Sequence, residues 1–256
     1  MSTHPDPERL GGYAWTTRTR GRLTRRERLT LLGAIATSQR DYLMHRVRRD
    51  RPRTTPHPHD RPIVAPDSAF ARAIEEAAAE QNPVILTHSY RSWIFGRALA
   101  DVDGTEVDDE LLYAGALLHD HGLVPAVPGE DFTLRSARRA TEAATAVGLA
   151  PERTASLADA ITVHTTPGVT IARDGALGYY IQNGAMVDIV GQRIWDLPAD
   201  LVADTLARYD RAGFTRGLGG HFTDEARAVR GGRFALVRRC GFVPLIRLAP
   251  FERTAK

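Results

Sequence analysis

Residues 110–122 read ELLYAGALLHDHG, and this stretch limits what the chain can become more than any other. At helical spacing Leu111, Leu112, Ala114, Ala116, Leu117 and Leu118 leave almost no polar face, so the segment predicts a helix sunk in a core. Asp108 or Asp109 can cap its start, and Gly122 suits the left-handed position that ends many helices. The same helix finishes on three ionisable groups in a row, His119, Asp120 and His121. Placing them there costs several kcal/mol of desolvation unless something pairs with the charge. A divalent cation meets that need, and imidazole with carboxylate suits Zn, Fe, Mn or Co.

The neighbouring segments also read as helices. Asp67 or Ser68 can cap Ala69–Glu80, and Asn82-Pro83 restarts the chain for a second run from Val84 to Ala100. Further helices are expected over Ser136–Val147, Arg153–His164, Ala176–Trp195 and Asp200–Ala212. Only Phe234–Val237 and Phe242–Leu248 alternate like strands. The fold class that follows is all-α, with a helical core of five or more helices, a helical N-terminal arm and a short C-terminal hairpin.

Residues 1–65 divide from the rest as a basic arm and a proline-rich linker, with residues 66–256 as the main domain and its C-terminal extension. Within the arm, residues 1–22 are expected to be poorly ordered, and Leu23 to Arg49 carries apolar residues at helical spacing with arginines between them. Pro52, Pro56, Pro58, Pro62 and Pro66 deny the next stretch its helix and sheet donors. His57 and His59 lie in it as solvated loop residues and are given no role.

Three more ionisable residues stand in apolar surroundings. His88 lies within ILTHSYRSWIFG, Asp188 within GAMVDIVG, and His164 ends ADAITVH. A carboxylate such as Asp188 in that setting either pairs with an arginine or binds a metal. Four helices would each bring one such group inward, which is how helical folds assemble cofactor sites.

The order His88, then His119-Asp120, then Asp188 resembles the H…HD…D pattern of the HD-domain superfamily. The stretches LTHSYRSWIFG, LLYAGALLHDHG, DFTLRSA, ADAITVHT and GAMVDIVGQRIWDLP look like the cyanamide-hydratase-like branch, over a core of roughly residues 82–197. GFVPLIRLAPF is a fainter match. The resemblance implies one divalent metal ion, with zinc foremost, held by His88, His119, Asp120 and Asp188. Two-metal members carry two further histidines between the HD pair and the last Asp. Here His164 fills one such place and His121 lies next to the pair, so a single metal is favoured.

The implied reaction is attack of a metal-activated water on a nitrile such as cyanamide, giving urea. His164 or His121 would move the proton, and Asp120 would orient the water as well as bind metal. The wider superfamily implies an alternative, hydrolysis of a nucleotide or other small phosphoester. Arg91, one helical turn from His88, with Arg135 behind it, would then clamp the phosphoryl oxygens. An ion pair with a buried carboxylate is the competing reading of Arg91. Phe132 is placed against substrate, and Phe95, Tyr179 and Tyr180 are candidates to narrow the pocket. A metal- or ligand-binding regulator without turnover is the remaining class.

Composition removes other classes. A net charge of +3, from 34 Lys+Arg against 31 Asp+Glu, gives no nucleic-acid footprint. One cysteine, Cys240, excludes an intramolecular disulfide and a cysteine-rich zinc site. No apolar run is long enough to cross a bilayer. Thr24-Arg25-Arg26 ahead of Leu29–Ala36 resembles a twin-arginine signal, but Glu27 and Arg28 favour an amphipathic helix and a cytoplasmic protein. The expected partner is a small-molecule substrate, with homo-oligomer formation through the N-terminal arm.

Overall fold

A computed structural model describes residues 5, 6, 8–48 and 63–253. The proline-rich linker, with His57 and His59, lies almost wholly outside the described residues. Twelve α-helices are present among the described residues: α1 (Tyr13–Thr19), α2 (Arg25–Arg48), α3 (Ala69–Ala78), α4 (Pro83–Val102), α5 (Asp109–Leu118), α6 (Phe132–Ala146), α7 (Pro151–Val163), α8 (Ile171–Val190), α9 (Ala199–Arg208), α10 (Phe214–Ala228), α11 (Arg233–Arg239) and α12 (Phe242–Ile246). The expected all-α class holds. None of the described helices is long and apolar enough to cross a membrane.

Caps explain several starts. Ser68 accepts from Ala71 N at 3.0 Å, Asp108 from Leu111 N at 3.0 Å and Asp131 from Thr133 N at 3.0 Å. Asn82 accepts from Val84 N, and Pro83 then occupies the first turn, where a missing N–H costs nothing. Gly122 does not end α5 in a left-handed turn as expected. It lies in a short 3-10 turn, His121–Leu123, and is needed for close approach. A Cβ there would run into the Phe132 carbonyl and come within 2.8 Å of Ser136 N.

The main core is alanine-rich and gathers α3 to α8 around α5, whose residues Leu112, Ala114, Ala116, Leu117 and Leu118 are fully buried. Helices α4 and α8 make the most extensive contact in the molecule. Gly96 and Gly184 permit it, because a Cβ on Gly184 would strike the Ser92 carbonyl and stand 2.9 Å from Gly96 Cα. That close crossing brings His88 on α4 beside Asp188 on α8.

A second core is built from rings: Tyr42 of α2, Phe132, Phe214, Phe222 and Phe234, with Phe242 packed against them. It corrects the C-terminal hairpin, since α11 and α12 stand where strands were expected. Runs of four to seven residues do not separate a period of 2 from one of 3.6. As a helix, the segment lets Phe234 reach Phe222 at 4.7 Å and Phe242 at 6.3 Å between ring centroids. Pro244 falls in the first turn of α12, a position it tolerates.

The N-terminal expectation is corrected too, because residues 8–22 are held rather than loose. Arg9 bonds Asp159 at 2.8 Å and Asp174 at 2.8 Å, and Tyr13 N donates to Asp159 at 2.8 Å. Trp15 is buried and donates to Glu27 at 2.7 Å. Buried Arg233 reaches Gly11 O at 3.1 Å and Thr166 Oγ1 at 2.9 Å, pinning the segment from below. The described part of the arm thus folds onto its own chain.

Candidate metal centre

His119 follows the last residue of α5, and Asp120 turns the chain into the 3-10 segment. His88 comes from the first half of α4, and His164 follows the end of α7. His88 and His119 are fully buried, and Asp120 and His164 nearly so. His88 Nε2 and His119 Nε2 stand 3.3 Å apart, and Asp120 Oδ2 lies 3.7 Å from the first and 3.5 Å from the second. His164 Nε2 is 3.4 Å from the other oxygen, Asp120 Oδ1.

The opposite nitrogens fix the tautomers. His119 Nδ1 donates to Ala116 O at 2.7 Å, and His164 Nδ1 donates to Ile161 O at 2.6 Å. His88 Nδ1 donates to Asp188 Oδ2 at 2.6 Å. With each Nδ1 committed to an acceptor, neutral rings carry their lone pairs on Nε2, facing Asp120. Burial pushes His119 down to about 3, so this ring is neutral at physiological pH. Burial works against the charge of Asp120, but the surrounding imidazoles, His119 first, hold it below the usual carboxylate range. Two Nε2 atoms in near contact, beside a buried carboxylate that no guanidinium among the described residues touches, make a donor set that a divalent cation fits. His88, His119 and Asp120 can each offer a ligand atom within 4.8 Å of the others.

The structure therefore brings three of the four expected ligands together and places the fourth behind them. Asp188 is fully buried, with Arg91 Nε at 2.8 Å from Oδ1 and Arg91 Nη2 at 2.9 Å from Oδ2. Arg211 Nη1 also pairs with Oδ1. Burial opposes ionisation of Asp188, but Arg91 and Arg211 hold its carboxyl far below the usual range. The result is an anionic acceptor that orients His88, the common arrangement behind a metal-binding imidazole. Arg91 takes the ion-pair alternative: its remaining nitrogen, Nη1, donates to Tyr209 O at 3.1 Å and Asp210 O at 2.7 Å. Phe214 packs beneath, 5.3 Å from His88 and 4.2 Å from the Arg211 guanidinium carbon.

His121 is turned elsewhere, with Nε2 3.4 Å from Glu80 Oε2, and burial lowers its pKa. Arg135 is likewise engaged away from the cluster, donating to Gly122 O at 2.6 Å. Phe95 and Tyr180 are buried in the main core, and Tyr180 bonds Asp103 at 3.1 Å.

A cavity of about 130 Å³ opens beside the cluster, with His119, Asp120, His164 and Phe132 in its wall. Phe132 meets the His164 ring edge-on at 6.0 Å. Sequence reasoning expected α2 as a helix but gave it no part in the site, where it supplies Ile35, Ser38, Gln39 and Tyr42 to this wall. It is tied there by Tyr42 Oη to Val190 O at 3.0 Å and Gln39 Nε2 to Cys240 O at 2.7 Å. Thr165 and Gln182 were missed as well. The polar run HTTPG after His164 is a local signal for the first, whereas Arg211, in the loop before α10, offers none.

The family model of the HD domain matches residues 85–185. Over that segment the chain is similar to the HD domain, a family that in general comprises metal-dependent hydrolases. It contains His88, His119, Asp120 and His164 and ends just before Asp188. A comparison with curated proteins returned no match to the chain.

Proposed function

We propose that this chain is a metal-dependent enzyme that adds water to a small neutral substrate, with hydration of a nitrile such as cyanamide to urea as the leading reaction. One observation carries the reading: imidazole Nε2 atoms gather about Asp120 at the wall of a cavity that, among the described residues, no Lys or Arg lines. A phosphoester would need cationic partners for its oxygens. Arg91, the candidate for that task, is spent on Asp188 and two carbonyls.

His88, His119 and Asp120 would hold the ion, zinc by preference, with iron, manganese or cobalt also suited to nitrogen and oxygen donors. When bound, the ion would supply activation of water, lowering its pKa toward about 7. His164 lines the cavity with Nδ1 locked on Ile161 O, so its Nε2 is the atom that takes a proton from the attacking water. The same atom returns that proton to the nitrile nitrogen as the C–O bond forms, and tautomerisation gives the amide. Phe132 excludes bulk water on the His164 side. Asp188 keeps the His88 ring in register rather than meeting substrate.

The test is elemental analysis of the purified protein together with urea release from cyanamide, with p-nitrophenyl phosphate as a parallel substrate. One equivalent of metal and metal-dependent urea are expected, and chelation should abolish both. His119→Ala and Asp120→Ala should each lower turnover by more than the roughly 10–100-fold typical of losing an outer partner of a ligand. Phosphatase turnover without urea would replace the hydration reading. Full metal and activity in both variants would remove the site.

A further inference from the structure

The cavity beside the cluster has two unlike ends. At one end stand Asp120, His164 and Thr165, whose Oγ1 is buried without a hydrogen-bond partner. Such an orphaned hydroxyl calls for a missing partner, and a ligand placed in the cavity supplies one. Gln182 is fixed there too, because its Nε2 donates to His164 O at 2.5 Å and Thr166 O at 2.8 Å, and the residue lines the cavity. The other end is lined by Ile35, Ile189, Phe222, Phe234, Val237 and Leu245. Cyanamide fills little of this space and has no apolar part to match it. A dry apolar cavity of about 150 Å³ is large enough for benzene, and this one is about 130 Å³.

We infer that the site takes a neutral substrate whose reacting nitrogen-bearing group is carried on an apolar body of about benzene's size. The body lies between α2, α8 and the C-terminal helices, and the reacting group meets Thr165 Oγ1 and the metal-binding cluster. This rests on the cluster being the reacting end of the cavity, as proposed above. It goes further in placing recognition on α2, α10, α11 and α12, which lie outside the segment matched by the HD family. Among the described residues the wall holds no Lys or Arg, which favours a body that is not anionic.

The experiment is calorimetric titration of the metal-loaded full chain with benzonitrile, acetonitrile and phenyl phosphate, alongside turnover of cyanamide and phenylcyanamide. Benzonitrile should bind at least ~10-fold more tightly than acetonitrile, because the ring leaves water. Phenyl phosphate should bind more weakly than benzonitrile. Ala185→Leu and, independently, Val237→Phe fill the apolar end and should erase the benzonitrile preference without changing metal content. Thr165→Val should weaken both nitriles by a few-fold while keeping the preference between them. Equal binding of the two nitriles, or a preference that survives both filling variants, overturns the inference even where urea is formed from cyanamide. Tight benzonitrile binding with no turnover of either cyanamide supports the inference and overturns the hydration reading instead.

Discussion

The two cores of this protein are made differently and do different work. The first, between α3 and α8, is dominated by alanine and leucine, with a few rings such as Phe95 and Tyr113 and with facing glycines that let backbones approach closely. The second, between α2, the end of α8 and the C-terminal helices, is built of rings that leave a cavity among them. His88, His119 and Asp120 grow out of the close-packed half, where position is fixed by backbone contact. The apolar wall that would select a substrate belongs to the aromatic half, where side-chain identity decides shape. On the proposed reading, chemistry is thus anchored in the alanine-rich half and selection in the aromatic one.

The comparison is broken most directly at the Arg91–Asp188 pair, which joins the halves. Arg91→Met leaves a buried carboxylate with less compensation and should cost about 3 kcal/mol or more by denaturant unfolding. It should also weaken metal binding by up to about 10–100-fold, since Asp188, the acceptor that orients His88, loses the two-pronged clamp that holds it. A variant with unchanged stability would show the pair to be incidental. Gly184→Ala probes the close-packed half alone, and the collision with the Ser92 carbonyl should cost about 1–3 kcal/mol. Ile189→Val, five residues further along α8 and in the cavity wall, should cost only about 0.5–1.5 kcal/mol while altering nitrile binding. Equal stability losses at the two positions would erase the distinction between the cores.

Glu225 sharpens the picture of the aromatic half through pH. It is almost fully buried on α10, accepts from Phe132 N at 3.1 Å, and burial followed by the nearby Asp131 raises its pKa from 4.5 to about 7. Between those values the folded state holds a proton that the unfolded chain has lost, so stability falls as pH rises through that window. Glu225→Gln remains neutral and should be about 1–3 kcal/mol more stable than the parent at pH 8, with little difference at pH 4. Parallel stability curves across that range would mean that Glu225 is charged in the fold.

The sequence revealed the close-packed half better than the aromatic one, for physical reasons. Helices α3 to α8 carry caps and long apolar faces, and His119-Asp120 at the end of a buried helix is conspicuous because its charges lack local partners. The alternative between metal and arginine at Asp188 stayed open, since its partners Arg91 and Arg211 lie 97 and 23 residues away. Short segments with few apolar residues misled: α11 was taken for strand, and α1 for loose chain, because their order comes from Phe222, Asp159 and Arg233 rather than from local pattern. The cavity was invisible for a similar reason, as α2 reaches it from more than a hundred residues upstream of α8 and α10.

Helix α2 has one more consequence. It contributes four side chains to the cavity yet sits outside residues 85–185, where the reactive cluster is encoded. On the proposed reading, part of the recognition surface is therefore written outside the passage that encodes the reacting cluster, and that part can drift without rewriting the cluster. A lineage that exchanged or reshaped this one helix would keep its chemistry and acquire a new diet.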